Sequence, residues 1–90
     1  MFRFRVACEG IPSLAWPDAL VDVDSEFSKR TWHHIVRCSW EAGALILVVD
    51  NHYDKDGAAV VDEFSATVAA YAPGTPGYRV RVLSVVTSSV

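Results

Sequence analysis

Residues 45–71 constrain the fold more than any other stretch of the chain. Leu45, Ile46, Leu47, Val48 and Val49 form its most hydrophobic run. The polar residues 50–57 then break that run, and Gly57 marks a turn. From Ala58 onward Val60, Phe64, Val68 and Tyr71 recur at helical spacing, flanked by Val61 and Ala72. A strand, an acidic turn and an amphipathic helix therefore follow one another without a break. Such a helix buries its stripe only against another apolar layer, so the rest of the chain must supply a sheet.

The remaining segments supply it. Phe2, Phe4, Val6 and Cys8 alternate with Arg3 and Arg5, the period of a half-buried strand, and Gly10 and Pro12 end it. Residues 31–40 are rich in aromatic and β-branched types and read as a second strand. Glu41, Ala42 and Gly43 link it to Leu45–Val49 as a hairpin, whose second arm is apolar enough to lie centrally. Residues 73–77, with two prolines and two glycines, stop the helix. Tyr78, Val80 and Val82 alternate with Arg79 and Arg81 in a last strand extended by residues 83–86, and residues 87–90 read as a frayed tail.

Residues 13–30 admit two readings. Pro17 suits the first turn of a helix, and Leu20, Val23 or Asp24, and Phe27 follow at helical spacing with acids early and Lys29 and Arg30 late. Residues 20–24 also alternate as a short edge strand would. The helix is preferred. The expected fold is then a single α+β domain over residues 1–90. It is ferredoxin-like, a split βαβ arrangement whose antiparallel sheet carries two helices on one face. The alternative is a five-stranded sheet with one helix over residues 58–72.

In the preferred arrangement the first and last strands are neighbours. Phe2, Phe4, Val6, Val80 and Val82 face the helices, and Arg3, Arg5, Arg79 and Arg81 line the open side. Arg37 joins them as a possible anion-binding face for phosphate or single-stranded RNA. The outward aromatic residues of RNA-binding sheets are missing there. The alternative is neutralisation within the molecule, by the acids of residues 18–26 or by Glu9 and Glu41.

A net charge of −3 argues against general duplex binding. No apolar run approaches the ~20 residues of a membrane span, and an uninterrupted signal-peptide core is lacking. A cytoplasmic protein, not acting at a membrane, is expected. Cys8 and Cys38, its two cysteines, are expected as buried thiols.

No catalytic pattern is complete, so no catalytic residue, cofactor or enzyme activity is assigned. Asp54, Asp56 and Glu63, with Gly57, match most of a calcium loop, but His52 stands where the first Asp belongs. A helix-capping turn with Asp56 as the cap explains the same residues. His33 and His34 point to opposite faces of any strand and cannot chelate one ion together; one is expected in the core and one in water. The leading expectation is a small protein-binding domain of inhibitor, immunity or adaptor type. Its partner, another protein, would meet Asp22, Asp24, Asp54 and Asp56 at an acidic rim, with Trp16 as an anchor from a loop. Homodimerisation is compatible with this, although an arginine-lined face disfavours stacking of two open sheets.

Overall fold

The computed structural model describes residues 1–12, 14–52, 54, 56–71 and 78–87, leaving the side chain of Tyr71 outside that description. Six elements follow in order: β1 (Phe2–Glu9), α1 (Trp16–Ser28), β2 (Ile35–Glu41), β3 (Ala44–Asn51), α2 (Ala58–Tyr71) and β4 (Arg79–Thr87). The four strands form one sheet in the order β2-β3-β1-β4, and each neighbouring pair is antiparallel. This is an α+β fold with two helices. The five-stranded alternative fails because residues 16–28 are helical.

That helix forms although its entry lacks a side-chain cap. Ala15 occupies the N-cap position, and Pro17 sits in the first turn, where a missing N–H costs no hydrogen bond. Tertiary burial outweighs the local β-alternation of residues 20–24: Ala19, Val23 and Phe27 lie on one face and are buried. Trp16, expected in a loop, is the first residue of α1. It stacks on Trp40 of β2 with ring centroids 5.1 Å apart and planes 10° from parallel.

One core joins the inward residues of the sheet to both helices. Phe4, Val6 and Cys8 of β1 and Leu45, Leu47 and Val49 of β3 meet Val23 and Phe27 of α1 and Val60, Phe64 and Val68 of α2. Phe27 and Phe64 meet edge to face at 6.2 Å, an arrangement favoured by the ring quadrupoles. The alternation of β1 holds as expected: Phe4, Val6 and Cys8 are buried, while Arg3 and Arg5 are exposed. β3 is buried almost throughout, as a central strand should be. No helix among the described residues is long and apolar enough to cross a membrane.

Three local expectations need correction. The β2–β3 link is a two-residue turn, since Glu41 already pairs with Ala44. Its central residues Ala42 and Gly43 have φ of 52° and 78°, the sign that a tight hairpin matching the sheet twist requires. Residues 31–34 are not strand; β2 begins at Ile35, after a turn that takes Trp32 out of the sheet. Thr87 is not part of a tail but pairs with Phe2. The expected Tyr71 and Ala72 end of the apolar stripe, the turn at 73–77 and the tail at 88–90 lie outside the described residues.

Candidate interaction surfaces

The outward side of α1 is acidic and carries uncovered apolar side chains. Leu14, Asp18, Val21, Asp22 and Ser25 share one stripe by helical spacing, continued one turn before the helix. Leu14 is 96% exposed and Val21 64%. Asp18 is exposed and Asp22 and Asp24 are half-buried, so an acidic collar surrounds Val21. Asp22, Asp24 and Trp16 are thereby grouped on one helix, and Asp18, Leu14 and Val21 join them. The spacing alone contains this stripe, but it emerges only once the buried face of α1 is known.

Asp54 does not belong to that surface. It is buried, and its carboxylate is spent on the backbone: Oδ1 accepts the Gly57 N–H at 3.1 Å and Oδ2 the Val60 N–H at 3.0 Å. The Asp54 N–H is itself donated to Asn51 Oδ1 at 3.1 Å. Asp54 thus closes the turn and satisfies an otherwise orphaned donor in the first turn of α2. Asp56 stays exposed and accepts the Ala58 N–H at 3.0 Å, so the capping role expected of Asp56 is divided between two aspartates.

Gly57 is fixed by the same turn. Its φ is 85°, and an added Cβ would stand 2.9 Å from Val82 Cγ2 and 3.3 Å from Phe4 Cδ1. The turn is therefore pressed against β1 and β4.

Glu63 is drawn away from Asp54 and Asp56 into a different cluster. Its Oε1 accepts the Trp32 Nε1–H at 3.0 Å, and its Oε2 lies 2.9 Å from His33 Nε2. An ionised carboxylate only accepts, so that imidazole nitrogen donates. Arg30 Nε lies 3.9 Å from the same carboxylate, and its guanidinium sits 4.6 Å above the Phe27 ring. The three carboxylates of the calcium-loop pattern are not brought together: the Asp54 oxygens accept from backbone N–H groups, and those of Glu63 face Trp32 and His33. No group of three or more metal-ligating side chains occurs among the described residues. His33 is buried and His34 exposed, the division expected for adjacent residues.

The arginines share the open face of the sheet, with their charge largely answered there. Arg3 makes a two-pronged pair with the buried Asp50, at 2.8 and 3.0 Å. Arg5 reaches Glu41 at 3.2 Å, and Arg81 donates to Glu9. Hydrogen bonds from Ser39 first, and then from Arg5, hold the Glu41 carboxyl below its ordinary range. Glu9 and Glu41 act as expected. Asp50 on β3 is a further acid at this face, beyond Glu9 and Glu41, while the acids of residues 18–26 sit on α1, across the sheet. Arg37 and Arg79 have no carboxylate at ion-pair distance among the described residues.

Between the Arg5–Glu41 and Arg81–Glu9 pairs lies a hollow of about 250 Å³, floored by Ala7, Ala44 and Ile46. These three are buried although no helix covers this side, because longer neighbours stand around them. The register repeats in rows across the open face. Glu41, Ala44, Glu9 and Arg79 form the first row, and Ser39, Ile46, Ala7 and Arg81 the next. Arg37, Val48, Arg5 and Ser84 follow, then Ile35, Asp50, Arg3 and Val86. A register shift between Arg5 and Val6 lets β4 carry one extra residue, Leu83, which stays exposed beside the hollow.

Cys8 is buried as expected, whereas Cys38 is only half-buried. Burial pushes Cys8 up to about 11 and Cys38 up to about 12. Both shifts disfavour the thiolate, the nucleophilic form.

No family model matches the chain, and no curated protein matches it.

Proposed function

We propose that this chain is a small non-catalytic protein-binding domain, of inhibitor, immunity or adaptor type, that docks on a basic surface of another protein. One observation supports this best: the outward face of α1 presents Leu14 and Val21 uncovered inside a collar of Asp18, Asp22 and Asp24. Apolar side chains give a partner area to bury, and the carboxylates steer a cationic surface and set its register. Trp16 supports the same face from beneath, held by its stack on Trp40. Asp56 is exposed at the start of the other helix, α2, and Asp54 is left out because its carboxylate is buried in the turn.

In this reading the fold is ferredoxin-like, supported by the element order and by the strand order β2-β3-β1-β4. The cytoplasmic setting is supported by two cysteines that are free thiols.

The test is a pull-down from native extract at low and high salt, using the wild type and Asp18→Lys with Asp22→Lys. A single protein retained at low salt, released by high salt and lost from the double variant is the expected result. Retention unchanged by the charge reversal would sink the reading.

A second reading, an anion- or single-stranded-RNA-binding sheet, draws on Arg37 and Arg79, which lack an acidic partner among the described residues. It is weakened because Arg3, Arg5 and Arg81 are already opposed by carboxylates. Retention on heparin at moderate salt would favour it.

A further inference from the structure

We propose that the open face of the sheet is a self-association surface, on which a second copy of this chain packs face to face about a two-fold axis parallel to the strands. The inference rests on the side-chain rows and not on the acidic α1 face, so the two stand or fall separately.

A two-fold in that direction keeps each row opposite itself and reverses the strand order. β2 then meets the partner's β4, and β3 meets the partner's β1. Near the centre, Ile46 lies across from the partner's Ala7, so the two hollows open onto each other, each floored by residues already buried in their own sheet. One row pair further along, Asp50 meets the partner's Arg3, and Ile35 meets the partner's Val86. At the other end Arg79, unpaired among the described residues, meets the partner's Glu41. The same alignment sets Glu9, Arg81, Arg5 and Arg37 opposite Ala44, Ser39, Val48 and Ser84, so the first three of these charges keep their partners within their own sheet.

Repulsion between two stacked arginine rows is offset within each sheet. Asp50, Glu41 and Glu9 already oppose Arg3, Arg5 and Arg81, so the face is a mosaic of both signs. Such a mosaic can complement itself under a two-fold, whereas a one-sign face cannot. Strands about 4.8 Å apart and residues rising about 3.3 Å make a four-stranded, eight-residue face of roughly 500 Å². Two copies would bury on the order of 1,000 Å², the lower bound for a specific interface. Stacked sheets of this kind lie about 30° from aligned, so the corner charges sit at the rim of the contact.

Sedimentation of the purified chain up to about 100 μM tests the idea. A concentration-dependent dimer is expected. Val86→Glu and Arg79→Glu should each raise its dissociation constant about tenfold, because the two-fold doubles every change. Adding Glu41→Arg to Arg79→Glu should recover most of that loss, since the opposed charges are then exchanged. Both 79 and 86 are exposed edge-strand positions, so circular dichroism should find the variants folded. A monomer throughout the range would overturn the proposal. So would a dimer indifferent to both substitutions, which would place the contact elsewhere, or a monomer that instead binds heparin through this face.

Discussion

Asp54 and Val60 are joined across the entry to α2: a buried carboxylate oxygen accepts the Val60 N–H at 3.0 Å while its twin holds Gly57 at 3.1 Å. One side chain thus closes the turn and caps the helix. Asp54→Ala should lower the unfolding free energy by about 2–3 kcal/mol, because two N–H groups lose a charged acceptor. Asp56→Ala, exposed and holding one N–H, should cost about 0.5–1 kcal/mol. Urea denaturation of the two variants measures the difference; equal losses would contradict this division of roles.

The glycine beside that turn is irreplaceable for two reasons acting together. Gly57→Ala must hold a side chain at φ 85° and also displace Val82 or Phe4. A loss of about 2–4 kcal/mol is expected from left-handed strain plus overpacking. Gly43 offers the control, since nothing lies within 4 Å of a Cβ there and only the strain at φ 78° remains. Ala42→Gly should do the reverse and stabilise the hairpin by about 0.5–1 kcal/mol, by relieving a non-glycine residue at φ 52°. Thermal melts of the three variants should fall in that order.

Glu63 ties the α1–β2 connection to α2 through Trp32 and His33. Glu63→Ala should cost about 2–3 kcal/mol, mostly by stranding the buried imidazole donor. Glu63→Gln should recover part of this, as an amide oxygen still accepts one bond. Amide hydrogen exchange should quicken at residues 30–35 before the rest of β2. Uniform quickening across the domain would mean that Glu63 is not a local clamp.

The two thiols predict an alkaline limit. Their folded values, about 11 for Cys8 and about 12 for Cys38, lie above the ordinary thiol value of 9.0. The folded chain therefore holds protons that the unfolded chain releases. Stability should be unaffected by these groups below pH 9 and fall as pH rises from there toward 11–12. At pH 8 neither thiol should react with a disulfide reagent until the protein unfolds. Cys8→Ala should remove its share of the alkaline slope, to be read from unfolding curves at pH 8 and pH 10.

Much of the architecture was legible from period and punctuation. The alternation of Phe2, Phe4 and Val6 with Arg3 and Arg5, the apolar run at Leu45–Val49 and the helical stripe of Val60, Phe64 and Val68 each carry a local signal that the sheet and helix obey. That Arg3 and Arg5 share a face opposite to Phe4 and Val6 follows from parity, whereas the openness of that face follows from both helices packing on the other side. These are statements about which side of an element a residue occupies, and that is set by backbone geometry within a few residues.

Tertiary contacts decided the rest. Residues 16–28 had both helical and strand character, and burial of Ala19, Val23 and Phe27 against a distant sheet selected the helix. Asp54 and Asp56 are two positions apart with the same carboxylate, yet one is a buried structural acceptor and the other stays exposed. Only the approach of the turn to β1 and β4 separates them. Glu63 looked like the end of a metal loop and became the clamp for Trp32 and His33, a contact spanning about thirty residues of chain. Sequence period reports on neighbours along the chain. The partner of a charge is set by which strands pair and in what register, which is why Arg3 finding Asp50, and Arg37 finding no acid among the described residues, belong to the folded structure alone.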